Sequence, residues 1–294
     1  MPSTGSTTSG RLAIIGAGVM GETVLSGLLR AGWTADQIVA TDRRLERQAE
    51  LVERYGITML ENLEAAADAD TLILVVKPQD MRDLLREIAP VIKPDALVVS
   101  LAAGVDTASI ESALADGVAV VRVMPNTPAQ VDEGMAAISP GSAADQDHLD
   151  RVTAILSATG RVVTVPERYQ DAVTAISGSG PAYLFFVVEA MIEAGVHLGL
   201  PRDIATELVV QTMLGSAKLL RETGEHPTVL RERVTSPGGT TAAAVRQLED
   251  HKVRAAFIGA MEAARDRSRD LAAAAREDPD DHRRNDHDRQ GRRR

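Results

Sequence analysis

Short apolar runs alternate with stretches of helical spacing through the first half of the chain. Leu12–Ile15, Ile38–Thr41, Leu72–Val76, Leu97–Ser100 and Val118–Val123 suit buried strands, and Met135–Ile138 and Val162–Val165 extend the series. Apart from Thr41, Ser100, Arg122 and Thr164, the runs are apolar at successive residues rather than on every second one, as expected of strands covered on both faces. Helical patterns lie between them, with Asn62, Pro78 or Asp106 near their starts; Val24, Leu25, Leu28 and Leu29 form one such stripe. Strand and helix alternating at this pitch predict an α/β fold, and right-handed crossovers make it a doubly wound Rossmann-type sheet.

After Pro166 the strand pattern stops. Tyr183–Leu198 reads as a strongly apolar helix entered through Gly180-Pro181 and stopped by Gly199-Leu200-Pro201. Arg202–Arg221 reads as a second helix, Gly224 to Pro227 as a break, and Thr240 to about Leu271 as a third helix interrupted near Asp250. The expected organisation is a leader over 1–10, a dinucleotide-binding domain over 11–165, an all-α dimerisation and substrate domain over 166–273, and a polar tail over 274–294. Helices this apolar need a partner surface, and a two-fold copy of the same chain is the commonest one.

Composition narrows the function. The 294 residues carry a formal net charge of −10, which argues against general nucleic-acid binding. There is no cysteine, which removes disulfides, thiolate catalysis and cysteine metal sites and fits a cytoplasmic protein. No metal site is expected; His282 and His287 read as residues of a solvated tail. No apolar run looks long enough to span a membrane, since Leu184–Ile192 is interrupted by Glu189, and no membrane partner is expected.

Two glycine-rich turns carry the candidate chemistry. Gly16-Ala17-Gly18-Val19-Met20-Gly21 follows the first strand and opens a helix, the setting that makes this spacing a dinucleotide fingerprint. The second strand ends Thr41-Asp42-Arg43-Arg44. A carboxylate there suits the 2′-hydroxyl of NAD, whereas guanidinium matches the 2′-phosphate of NADP. NADP(H) is expected to be preferred through Arg43 and Arg44, with NAD(H) as the alternative. Asp42 either turns outward or pairs with an arginine, and both arginines also suit a solvated first helical turn. The second turn, Val234 through Thr241, places two glycines and two hydroxyls at the start of an Ala-rich helix. Free N–H groups and the helix dipole make such an end a dock for a small anion, worth up to about 2 kcal/mol when partly buried.

These segments resemble one family, the pyrroline-5-carboxylate reductases. The resemblance rests on the two turns and on Val75 through Gln79, Ser100 through Gly104, Arg122 through Pro128 and Asp171 through Tyr183, in the family's order. It implies a Rossmann domain followed by a helical dimerisation domain whose helices intertwine between subunits, with larger rings of dimers in several members. It further implies NAD(P)H-dependent reduction of 1-pyrroline-5-carboxylate to L-proline, the last step of proline biosynthesis. By motif, Ile15, Gly16, Ala17, Gly18, Val19 and Met20 resemble the family's pyrophosphate turn, and Asn62 its adenosine-side asparagine. Val76, Lys77, Leu101, Ala102 and Ala103 are similar to positions lining the nicotinamide half, with Met124, Pro125 and Asn126 nearby; Lys77 equally suits a strand-end lysine in solvent. Gly239, Thr240 and Thr241 resemble the substrate-carboxylate site, with Thr241 placed to donate or orient a proton. Glu167 and Thr174 are similar to positions near the substrate. Arg233 departs from the Asn or Ala often found there, which leaves a cofactor contact at that position unsupported.

Two rival readings differ in chemistry. A β-hydroxyacid dehydrogenase shares the amino-terminal fold but uses a lysine on the first helices of its second domain. Here the helical region holds only Lys218 and Lys252, neither in that motif. A catalytically silent NADPH-binding sensor is disfavoured by the intact hydroxyl loop. His148, His197, His226 and His251 lie in no pattern that marks a catalytic dyad, and each reads as structural or surface.

Overall fold

The computed structural model describes residues 10–276, so most of the expected leader and tail lies outside the described residues. The described strands are β1 (Leu12–Ile15), β2 (Ile38–Thr41), β3 (Thr58–Met59), β4 (Thr71–Leu74), β5 (Leu97–Ser100), β6 (Ala119–Met124), β7 (Gly134–Pro140) and β8 (Gly160–Thr164). They form one sheet in the order β3-β2-β1-β4-β5-β6-β7-β8. Every pairing is parallel except β6 with β7. The doubly wound parallel sheet is therefore mixed at this one pairing. Apolar patterning could not foresee that, because a buried strand has the same composition in either direction.

The helices of this part are α1 (Val19–Arg30), α2 (Leu45–Tyr55), α3 (Asn62–Asp68), α4 (Pro78–Ile88), α5 (Thr107–Glu111), α6 (Gln146–Leu156) and α7 (Gln170–Val173). Successive side chains of a strand point to opposite faces, and the core divides accordingly. Leu12 and Ile14 pack with Val24, Leu25 and Leu28 of α1 and Val152 and Ile155 of α6. Ala13 and Ile15 pack with Ala65 and Ala66 of α3 and Met81, Leu84 and Ile88 of α4. Strand order reverses between β1 and β4, so the crevice at their carboxyl ends is where such a sheet binds its ligand.

The remaining helices are α8 (Gly180–His197), α9 (Arg202–Thr223), α10 (Pro227–Arg233), α11 (Thr240–Asp250) and α12 (Val253–Arg276). The expected interruption falls at His251-Lys252, where Lys252 takes φ 56°. By compactness the chain divides into two units, Ser179–Ala263 and the rest. Residues 166–178 show no strand pattern yet belong with the sheet. Gln170 is fully buried there, and its Nε2 donates to the Ser139 hydroxyl at 2.7 Å.

In the helical unit, α8 buries only Pro181 and α9 only Ala205. Phe185, Phe186, Leu208 and Leu214 are more than half exposed, an amount of large apolar side chain in water that marks an interaction surface. The helical run Glu167–His197 is in fact long and apolar enough to cross a membrane by length and composition. The expectation of no such run is corrected: over an 18-residue window one carboxylate, Glu189, does not offset the surrounding apolar residues.

Candidate active site

The first glycine turn has the shape a dinucleotide needs. Gly16 sits at φ 95°, a conformation other residues rarely adopt, and a methyl group there would lie 2.6 Å from the Val75 carbonyl oxygen. Its N–H and that of Ala17 donate to the Thr41 carbonyl at 3.1 and 2.8 Å, tying the turn to the end of β2. Gly18 caps α1 without any side-chain hydrogen bond and has open space where a side chain would stand. Gly21 lies against the Gly16 carbonyl, so helix and strand pack closely. The turn thus presents unblocked amides at a helix end, and a diphosphate fits this cradle.

At the adenosine end the structure resolves the conflict between Asp42 and the arginines. Arg44 donates to Asp42 from its backbone N at 2.9 Å and from Nε at 3.1 Å, with a further bond from the guanidinium at 3.3 Å. Burial pushes the Asp42 carboxyl up, but the Arg44 bonds outweigh it and hold Asp42 below the usual carboxylate range. The carboxylate is therefore occupied rather than turned outward. Arg43 is largely solvent-exposed and reaches Asp80 at 2.8 Å. Asn62, at the first position of α3, accepts from the Thr41 hydroxyl at 2.8 Å and donates to Glu87 at 3.1 Å. Thr41 thus links the glycine turn to Asn62, a role the residue pattern did not mark.

The nicotinamide-side candidates cluster at neighbouring strand ends. Val76 lies beside the Gly16 turn, Lys77 is exposed at the cap of α4, and Leu101 donates to the Leu74 carbonyl at 3.0 Å. Leu101 and Ala102 are buried, whereas Ala103 is exposed. Asn126 is occupied on both sides of its amide: Oδ1 accepts from Met135 N at 2.8 Å, and Nδ2 donates to the Ser177 carbonyl at 3.1 Å. It anchors the Thr174–Gly178 segment, a π-helical turn that composition did not announce.

Glu167 and Thr174 are also committed to the protein. Glu167 accepts from Thr107 N at 2.8 Å and from the Thr107 hydroxyl at 2.7 Å, and it pairs with the buried Arg122 at 3.3 Å. The Thr174 hydroxyl donates to the Gln170 carbonyl at 2.9 Å. The resemblance implies that both lie near the substrate; in the structure Glu167 ties residues 166–178 to Thr107 and Arg122, and Thr174 bonds within that segment.

In the helical unit the second turn is built as its composition requires. Gly239 N donates to the Ser236 carbonyl at 3.0 Å across Pro237 and Gly238, and Gly238 takes φ 71°. Proline followed by a residue of positive φ is the signature of a type II turn. Gly239 then caps α11 with no side-chain hydrogen bond, and a methyl group there would collide with the Ser236 hydroxyl. Among the described residues nothing bonds the N–H groups of Thr240, Thr241 and Ala242 or the hydroxyl of Thr241, which is half-buried. Upstream, Arg233 forms a two-pronged ion pair with Glu225, one prong at 2.7 Å, so it serves the loop's own flank. His226 accepts from Thr228 N at 3.2 Å as the cap of α10, and His148 completes the cap of α6 with Asp145.

A family model for pyrroline-5-carboxylate reductase dimerisation matches residues 167–271. A model for NADP oxidoreductases dependent on coenzyme F420 matches residues 11–104. A pyrroline-5-carboxylate reductase of Corynebacterium melassecola is 46% identical over 264 residues, which cover 88% of this chain and 98% of that one. The structure of a pyrroline-5-carboxylate reductase from Coxiella burnetii superposes with a TM-score of 0.85 at 36% identity, covering 90% of this chain and 98% of that one. Pyrroline carboxylate reductase of Plasmodium falciparum, solved with NADP bound, gives 0.81 at 27% identity, covering 90% and 98%.

Proposed function

Since the chain belongs to the pyrroline-5-carboxylate reductase family, we infer that it reduces 1-pyrroline-5-carboxylate to L-proline, the closing step of proline biosynthesis, with NADPH as the preferred donor. The observation that carries this reading is the tip of α11: three N–H groups and one hydroxyl with no partner among the described residues, presented by a turn that keeps side chains away.

The substrate carries one carboxylate and one C=N bond. The carboxylate docks on the N–H groups of Thr240 and Thr241, where the helix dipole favours negative charge. A protonated imine accepts hydride far more readily than a neutral one, so the ring nitrogen has to hold a proton. The Thr241 hydroxyl, which has no partner among the described residues, delivers that proton to the imine nitrogen, draws its replacement from solvent, and then accepts the resulting N–H. The Gly16 to Met20 turn would hold NADPH, which when bound would supply the hydride for the C=N carbon. The protein's share is orientation: fixing both reactants removes an entropic barrier without a strong acid or base. This accounts for a site with no histidine, cysteine or lysine pattern around the turn.

On the cofactor side, diphosphate amides come from the Gly16 to Met20 turn, and the exposed guanidinium groups of Arg43 and Arg44 serve the 2′-phosphate. With Asp42 neutralised by Arg44, the carboxylate that would favour NADH is masked. The exposed apolar faces of α8 and α9 are covered by a second subunit in the dimer, and dimers assemble further into a ring in the cytoplasm. Light scattering of the purified protein tests the assembly.

The deciding experiment follows absorbance of the reduced nicotinamide with pyrroline-5-carboxylate and either NADPH or NADH. Oxidation dependent on the substrate, faster with NADPH, is the expected result. Cofactor binding with no turnover would return the chain to a sensor role, and turnover of a hydroxyacid instead would make it a dehydrogenase.

A further inference from the structure

Helix α2 contributes one side chain to the glycine turn that no motif covers. Arg47 is nearly buried, with 12% of its side chain exposed. Its Nε donates to the carbonyl oxygen of Ala17 at 3.1 Å, inside the Gly16-Ala17-Gly18 turn. Its two terminal nitrogens bond Glu22, on the first turn of α1, and Glu50 at 2.8 Å.

The geometry of a trans peptide gives this contact a consequence. Within one planar unit the C=O of a residue and the N–H of the next point in opposite directions. Ala17 is already pinned through its own N–H, which donates to the Thr41 carbonyl at 2.8 Å. With its carbonyl held toward α2 by Arg47, the Gly18 N–H is driven the other way. That N–H has no partner among the described residues, and a side chain on Gly18 would meet open space.

Charge points to the same role. Glu22 places a carboxylate on the helix turn where a diphosphate would come. Burial raises its pKa, but bonds from Arg47, Tyr55 and Arg54 prevail, so it stays ionised below the usual range. Arg54 and the Tyr55 hydroxyl reach it at 2.7 and 2.8 Å. An ionised, unpaired Glu22 would repel the cofactor, and the Arg47-centred cluster removes that repulsion.

We propose that Arg47 is a positioning residue for the cofactor diphosphate: it sets the direction of the Gly18 N–H through the Ala17 carbonyl and neutralises Glu22. This rests on the reading of the turn as a nicotinamide-dinucleotide site. Arg47 acts on the diphosphate, common to both cofactors, whereas Arg43 and Arg44 act on the 2′-phosphate.

The test is equilibrium binding of NADPH, NADH and 2′-AMP, which has the 2′-phosphate but no diphosphate, to the wild type and to Arg47→Met. NADPH and NADH are expected to weaken by the same factor, about tenfold, the loss of one charge-assisted contact. Binding of 2′-AMP is expected to stay within about twofold, since it makes no use of the diphosphate turn. Unchanged NADPH binding by folded Arg47→Met, or an equal loss for 2′-AMP, would overturn the proposal. Should Arg47→Met not fold, the charge-balanced pair Glu22→Gln with Arg47→Gln is read by the same criteria. Wild type that bound neither dinucleotide would instead remove the cofactor reading on which the proposal stands.

Discussion

Glu167 offers the sharpest separation between a substrate residue and a structural one. Its carboxylate accepts both Thr107 bonds, at 2.8 and 2.7 Å, and faces Arg122 at 3.3 Å. Arg122 is 8% exposed at its side chain and Glu167 27%. Glu167→Ala removes all three interactions and leaves a buried guanidinium without its counter-ion. Breaking a fully buried pair costs about 3–5 kcal/mol. Glu167 is a quarter exposed, so water enters and the lower end, about 3 kcal/mol, applies. Glu167→Gln keeps an acceptor for Thr107 N and Arg122, and its amide can donate to the Thr107 hydroxyl. Only the charge is lost, about 1 kcal/mol. At roughly 2–4 °C per kcal/mol for a unit of this size, Tm falls by about 6–12 °C for Ala and about 2–4 °C for Gln. The assay is scanning calorimetry at one fixed protein concentration, because assembly makes Tm concentration-dependent. The KM for pyrroline-5-carboxylate is measured in parallel. A Tm held within about 1 °C while KM rises about tenfold would refute the structural role and make Glu167 a substrate ligand.

The other predictions bear on chemistry, cofactor choice and pH. Thr241→Val should lower turnover at least about tenfold, as expected when a positioned proton donor is lost, with NADPH affinity near wild type; stopped-flow kinetics checks this, and an unchanged rate removes the hydroxyl from the mechanism. Arg43→Ala with Arg44→Ala should weaken NADPH far more than NADH. Removing Arg44 also unmasks Asp42, so NADH binding should hold or improve, and an equal loss for both cofactors in a fluorescence titration would contradict the 2′-phosphate assignment. Asp70 is held below the usual carboxylate range, first by its hydrogen bond from Lys93. A depressed folded pKa gives stability that is present above the unfolded value near 3.9 and is lost as pH falls through the folded one. Asp70→Asn should therefore flatten the acid limb of urea stability below about pH 4 and lower stability at neutral pH; an unchanged acid limb would show that the Lys93 contact does not contribute.

Much of the architecture was legible because it is locally encoded. Apolar runs gave β1, β2 and β5 to the residue, since burial on both faces favours apolar residues at successive positions, with Thr41 and Ser100 polar only at the strand ends. Strand β3 escaped because two residues, one of them exposed, carry no apolar run. The break read over Gly224 to Pro227 ends on the first residue of α10, where proline is favoured, and the remainder of this short helix carries no apolar stripe that would mark it.

By itself the sequence determined the order of strands and helices, the two glycine turns and the apolar demand of α8 and α9. Each depends on periodicity or on a backbone preference, as with Gly16 at φ 95° and Gly238 at φ 71°. Only the tertiary structure decided the partners of the charged and polar side chains. Glu167 meets Thr107 across 60 positions, Arg47 meets the Ala17 carbonyl across 30, and Asn126 meets Ser177 across 51. The reversal of β7 belongs to the same class. A polar side chain shows its chemistry in the sequence but not its neighbour, because what it bonds is set by how distant segments pack together.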